Sequence, residues 1–150
     1  MTTSVGSAIQ IHHMGDTAFS IRLRGHEMVV DLPLEAGGGD VGPSPTPLLV
    51  ASLAAGVAFF GRGFLHAHGL PDRVNVTARW WIEQTPMRVG RVKLSVEAPG
   101  LPADKLSEFS RAIEHCTVYN TLHDPPEVLF EVALSEGEVS SHGQRLDQRA

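Results

Sequence analysis

The sequence has a single cysteine, Cys116, in 150 residues, so it has no partner for an internal disulfide, no multi-thiolate metal cluster, and a composition that fits a reducing compartment. It also has no cluster of Lys and Arg. Twelve basic residues stand against seventeen acidic ones, for a net charge of -5, so the electrostatic footprint of a nucleic-acid binder is missing and neither DNA nor RNA is an expected partner. Met1 to Gly6 carry neither the basic n-region nor the apolar h-region of an export signal, which makes the cytoplasm the expected location. The most apolar stretch, 48–60, is interrupted only by Ser52 and Gly56 and stops at Gly61-Arg62-Gly63. That is short of the roughly 20 residues a membrane span needs, so it reads as a buried core helix and no membrane partner is expected. Gly37-Gly38-Gly39-Asp40 lacks the spacing of a phosphate cradle and any following Lys-Ser/Thr, and reads as a flexible connection. His66 and His68, two residues apart on a helix, point in different directions with no carboxylate or thiolate at ligand spacing. His12-His13 falls on a strand and faces opposite sides. No metal and no cofactor are expected.

What is present is a chain with 42% hydrophobic residues, long enough to bury a core as one domain over 1–134, followed by a polar tail, 135–150, expected to be disordered. Segments 8–13, 18–24 and 26–32 are strand-like and are punctuated by Gly15-Asp16 and Gly25. Phe19, Ile21 and Leu23 alternate with Ser20, Arg22 and Arg24, which predicts one buried and one wet face. Ser44-Pro45-Thr46-Pro47 signals a helix entry, with two hydroxyls that can cap and two prolines suited to a first turn. Gly69 and Pro71 signal its exit. Val74 to Ile82 and Val92 to Val96 alternate as a second hairpin around Thr85-Pro86. Leu106, Phe109, Ala112, Ile113 and Cys116 recur at helical spacing within 103–116, and a last strand is predicted over 128–134. The order is βββ-α-ββ-α-β, an α+β class with a long buried central helix.

Two segments resemble a known family. Residues 38–56, which contain Gly38-Gly39-Asp40-Val41-Gly42-Pro43-Ser44-Pro45-Thr46-Pro47 and run into the apolar helix, look like the Gly-rich loop and central-helix signature of the OsmC/Ohr family. This family comprises the osmotically inducible protein C and organic hydroperoxide resistance proteins. Residues 112–122, with Glu114-His115-Cys116-Thr117, look like its second cysteine motif. The resemblance implies an OsmC-like fold, an intertwined homodimer, and thiol-based reduction of organic hydroperoxides at sites on the dimer interface. It also implies departures. The family's peroxidatic cysteine falls on Gly56 and its glutamate on Pro47, while the arginine that partners the glutamate falls near Met14-Gly15-Asp16. Arg22 and Arg24 are the nearest electrostatic substitutes.

A hydroperoxide is attacked by a thiolate, and glycine offers none. Cys116 is the only catalytic candidate left. It is either a reactive thiol opening a short helix at Thr117 or a buried, inert side chain, and burial is the default for free cysteine. Replacing a side chain by hydrogen at Gly56 predicts an apolar cavity bordered by Phe60, one turn further on, and by Pro47. Phe59 and Phe64 read as core or dimer contacts, and of Trp80-Trp81 one ring should be buried and the other at a rim. The expected function is that of a homodimer in the hydroperoxide-defence family that lacks standard two-cysteine activity and binds a small apolar molecule or organic hydroperoxide at its interface. The alternatives are a weak one-cysteine peroxidase or thiol-redox protein acting through Cys116, and a non-catalytic dimeric scaffold.

Overall fold

The computed structural model describes residues 7–134, so the tail expected at 135–150 lies outside the described residues. The chain opens with an antiparallel meander of β1 (Gln10–Gly15), β2 (Ala18–Leu23) and β3 (His26–Val30), paired in that order. Its turns are tight because Gly15, Asp16 and Arg24 all take positive φ, a region that glycine and aspartate enter readily and arginine does not. The expected dry face is only half covered. Phe19 and Met28 are exposed while Ser20 is buried, because no other element packs extensively on this sheet.

The central helix α1 (Pro45–Ala67) starts at Ser44, whose backbone is extended and whose carbonyl accepts from the Leu48 N–H at 3.3 Å. No side-chain cap forms, and Pro45 and Pro47 remove two of the N–H groups that would otherwise lack partners. The exit is a Schellman motif. Gly69 is left-handed at φ 64, the Gly69 N–H donates to His66 O at 3.1 Å, and the Leu70 N–H donates to Leu65 O at 2.9 Å. The helix therefore continues through Gly61 and Gly63 for 23 residues, and by length and composition it is apolar enough to cross a membrane. Its buried stripe of Val50, Leu53, Val57, Gly61 and Leu65 packs inside the fold, which makes it the core helix; the opposite face stays open.

A second hairpin, β4 (Asn75–Gln84) and β5 (Met87–Glu97), lays Val76, Val92, Leu94 and Val96 against Leu53 and Val57 of α1. A bulge at Gly90 shifts the register between Trp81↔Arg91 and Ile82↔Val89. Both tryptophans are exposed, Trp80 at 38% and Trp81 at 48%, against the expectation of one buried ring: among the described residues no element closes over the inner face at Trp80.

The helix predicted over 103–116 forms but ends two residues early, and the short helix expected to open at Thr117 follows it. A 3-10 turn at Ala103–Lys105 leads into α2 (Leu106–Glu114), the chain turns at His115-Cys116, and α3 (Thr117–His123) begins with Cys116 as its N-cap. The predicted strand over 128–134 does not form. Residues 124–134 have no regular structure, and Val128, Leu129, Phe130, Val132 and Leu134 are all exposed: among the described residues, none of the open edges of the two sheets pairs with them. The fold remains α+β. Among the described residues, seven buried apolar side chains face twenty-three exposed large ones, so one chain alone closes only part of a core.

Candidate functional site

Gly56 lies midway along the stripe that α1 turns toward α3. The Sγ of Cys116 occupies the space a Cβ on residue 56 would fill, with Val118 Cγ2 3.6 Å away. The expected open cavity beside Gly56 is therefore absent: the thiol itself fills the volume that the missing side chain leaves. Cys116 is 1% exposed and belongs to the core cluster with Leu53 and Val57, held there because its backbone turns from α2 into α3. A thiol packed this way meets neither solvent nor substrate without local opening. Pro47 sits nine residues before Gly56, which places it about 13 Å away along the axis and on the far side of the helix.

An apolar groove does exist further along α1. Phe59, Phe60, Gly63, Phe64 and Ala67 form its floor and wall with Ala112 of α2, His68 and His115 edge it, and its volume is about 510 Å³. Gly63 opens it, since a Cβ there would meet nothing within 4 Å. Phe60 borders this groove and not the cavity expected at Gly56. His68 donates from Nδ1 to Phe64 O at 2.8 Å and stacks on the Phe64 ring with centroids 4.1 Å apart. This tautomer leaves Nε2 facing Glu108 at 3.9 Å. The groove offers apolar contact with a polar edge and no nucleophile. The phenylalanines are legible in the sequence, whereas His115, which there is only a weak candidate base beside Cys116, is not legible as a groove residue, because the turn after α2 brings it to the groove edge.

The electrostatic candidates lie on the meander, not on α1. Arg22 pairs with Glu27 across β2 and β3 at 3.2 Å, and Arg24 occupies the following turn. The strongest charged constellation was not anticipated. Asp31, 3% exposed, accepts from the Thr17 hydroxyl, from Leu32 N–H at 2.8 Å, from Gly39 N–H at 3.0 Å and from Val41 N–H at 3.2 Å. The Thr17 hydrogen bond and then the backbone donors hold its carboxyl below the usual carboxylate range, against the opposing effect of burial. The Gly-rich segment is therefore pinned rather than flexible. Gly38 and Gly42 lie so close to the carbonyls of Leu32 and Val29 that only hydrogen fits, and the loop delivers the chain to Ser44 in a fixed position.

A long helix flanked by a meander, a hairpin and two short helices, with a Gly-rich strap before it and a cysteine turn packed on its middle, defines a class with several solved members. The chain belongs to the OsmC-like protein family, whose sequence profile matches residues 37–131. The fold is similar to the organic hydroperoxide resistance protein OsmC from Legionella pneumophila, at 20% identity and TM-score 0.64 over 81% of this chain and 91% of that one. It is also similar to an OsmC-like protein from Mycoplasma pneumoniae, at 16% identity and TM-score 0.69 over 82% and 91%. A third similar structure is the organic hydroperoxide resistance protein OhrB of Bacillus subtilis, at 17% identity and TM-score 0.58 over 81% and 93%. No curated protein sequence matches the chain.

Proposed function

We propose that this chain is a homodimeric member of the organic-hydroperoxide-defence family that has no two-cysteine peroxidase cycle and serves as a binding protein for a small apolar molecule. The observation that carries this reading is the contact between Cys116 Sγ and Gly56: the only thiol in the sequence is used as packing, and the position facing it has no side chain. A sulfenate formed on Cys116 would have no second thiol in its own chain with which to condense. The aromatic groove edged by His68 and His115 supplies the binding surface. The open face of α1, where Phe59 is 75% exposed, supports a second copy as the cover that completes both core and groove.

The test combines activity, binding and mass. Cumene hydroperoxide with dithiothreitol as reductant should be consumed no faster than in buffer. An apolar fluorophore such as anilinonaphthalene sulfonate should bind the native protein and lose affinity at least about tenfold in Gly63→Leu, whose side chain projects into open groove. Light scattering at micromolar concentration should give about twice the chain mass. Rapid hydroperoxide turnover abolished by Cys116→Ser would replace this reading with a one-cysteine peroxidase. Probe binding unaffected by Gly63→Leu would leave the scaffold.

A further inference from the structure

The outer face of the β4–β5 hairpin carries an arrangement that the proposed function does not use. Register pairs Arg79 with Lys93 and, on the next outward rung, Trp81 with Arg91. Like charges directly opposite on one sheet face destabilise it, and none of these three cations forms an ion pair among the described residues. Two acids share that face: Glu83, which is held by Arg88, and Glu97, which lies two rungs from Lys93, beyond Thr77↔Ser95. On the other side, the rung Thr77↔Ser95 adds two exposed hydroxyls. In a chain of net charge -5, three unneutralised cations on two adjacent rungs are a local conflict of the kind that marks a binding site. The sequence hid the cluster, since Arg79 and Lys93 are fourteen residues apart and only pairing makes them neighbours.

We propose that this face binds a mononucleotide, with its phosphate between Arg79 and Lys93 and its base against Trp81. Cross-strand side chains on one face start about 5 Å apart, so both cationic side chains are long enough to reach one phosphate-sized group. The Trp81 rung lies about 7 Å along the strand, which is the step a single ribose spans between phosphate and base. Trp81 is 48% exposed, and Arg91 sits 5.9 Å from its ring centroid, covering one face and adding positive charge. Three cations on an otherwise acidic protein favour a short dianion over a long polyanion, which the surrounding field repels. An acidic peptide would satisfy the cations but leave the ring without a planar partner.

Calorimetric titration of the full chain with adenosine 5′-monophosphate, inorganic phosphate and adenosine tests this. The nucleotide should bind more tightly than either fragment, with affinity falling several-fold between about 20 and about 200 mM NaCl. Arg79→Gln/Lys93→Gln should weaken the nucleotide and phosphate at least about tenfold while leaving thermal stability equal or higher, because it removes a repulsion. Trp81→Leu should weaken the nucleotide and spare phosphate. The proposal is overturned by no heat of binding at about 10 mM nucleotide in low salt, by affinity that survives the double variant, by phosphate binding as tightly as the nucleotide, or by tighter binding of a single-stranded oligonucleotide or acidic peptide.

Discussion

Cys116 Sγ lies so close to the Cα of Gly56 that residue 56 cannot carry even a methyl group while the thiol keeps its place. Gly56→Ala should therefore destabilise the fold by about 1–3 kcal/mol despite alanine's better helix propensity, because it overpacks a closed core. Combined with Cys116→Ala, the new methyl partly fills the space the sulfur leaves. The double variant should be more stable than the sum of the single effects by about 1 kcal/mol or more in a denaturant-unfolding cycle.

Burial also sets the reactivity of the thiol. Native protein mixed with an aromatic disulfide reagent should label Cys116 on the order of 10² times more slowly than protein in denaturant, at a rate governed by opening of the α2–α3 turn. Stoichiometric labelling within the mixing time would contradict the packing described.

The α1 glycines distinguish crowded from open positions on one helix. At Gly61 a Cβ would meet Phe109 Cζ at 3.1 Å and Ile113 Cγ2 at 3.4 Å, and the Phe109 ring is buried and packed edge-on to Phe64, so Gly61→Ala should lower stability. At Gly63 nothing lies within 4 Å, and Gly63→Ala should raise stability by about 0.5–1 kcal/mol through helix propensity alone. Thermal melts of the two variants should shift in opposite directions.

Asp31 ties the meander to the Gly-rich strap. Its carboxyl is held below the ordinary value, so its contribution to stability is complete above the usual carboxylate range and is lost as pH falls through the lower folded value. Asp31→Asn should lower Tm by roughly 5 °C near neutrality, because either orientation of the amide sets its NH2 against backbone donors, Gly39 and Val41 N–H one way or Leu32 N–H the other. The variant should also lose the steepest part of the stability decline below about pH 4. An unchanged acid limb would show that another group governs it.

Periodicity located every element whose signal is local. The meander, α1 with its proline entry and glycine exit, the hairpin and the start of α3 at Thr117 were all readable from spacing and turn residues. What failed depended on partners. The strand expected at 128–134 pairs with none of the open sheet edges, and Trp80 has the right parity but no described element above it. The site was legible as residues but not as geometry. Gly56, Cys116 and Phe60 were all singled out, yet a missing side chain at 56 predicted a void, because sequence distance conceals that the Cys116 turn lands there. Asp31 escaped notice because its four donors come from Thr17, Leu32, Gly39 and Val41, and only the closed strap brings them together.

The unpaired stretch after α3 also bears on how the protein behaves when concentrated. Val128, Leu129, Phe130, Val132 and Leu134 are exposed in an unpaired segment, a composition prone to intermolecular β-aggregation. Glu127 and Glu131 flank and interrupt the run, and Pro125-Pro126 block its extension toward α3; these are the gatekeepers that natural sequences place around such segments. Glu131 is the only charge inside the run. Neutralising it would leave five exposed apolar side chains with no charge among them to oppose stacking, and turbidity on standing would be the first sign.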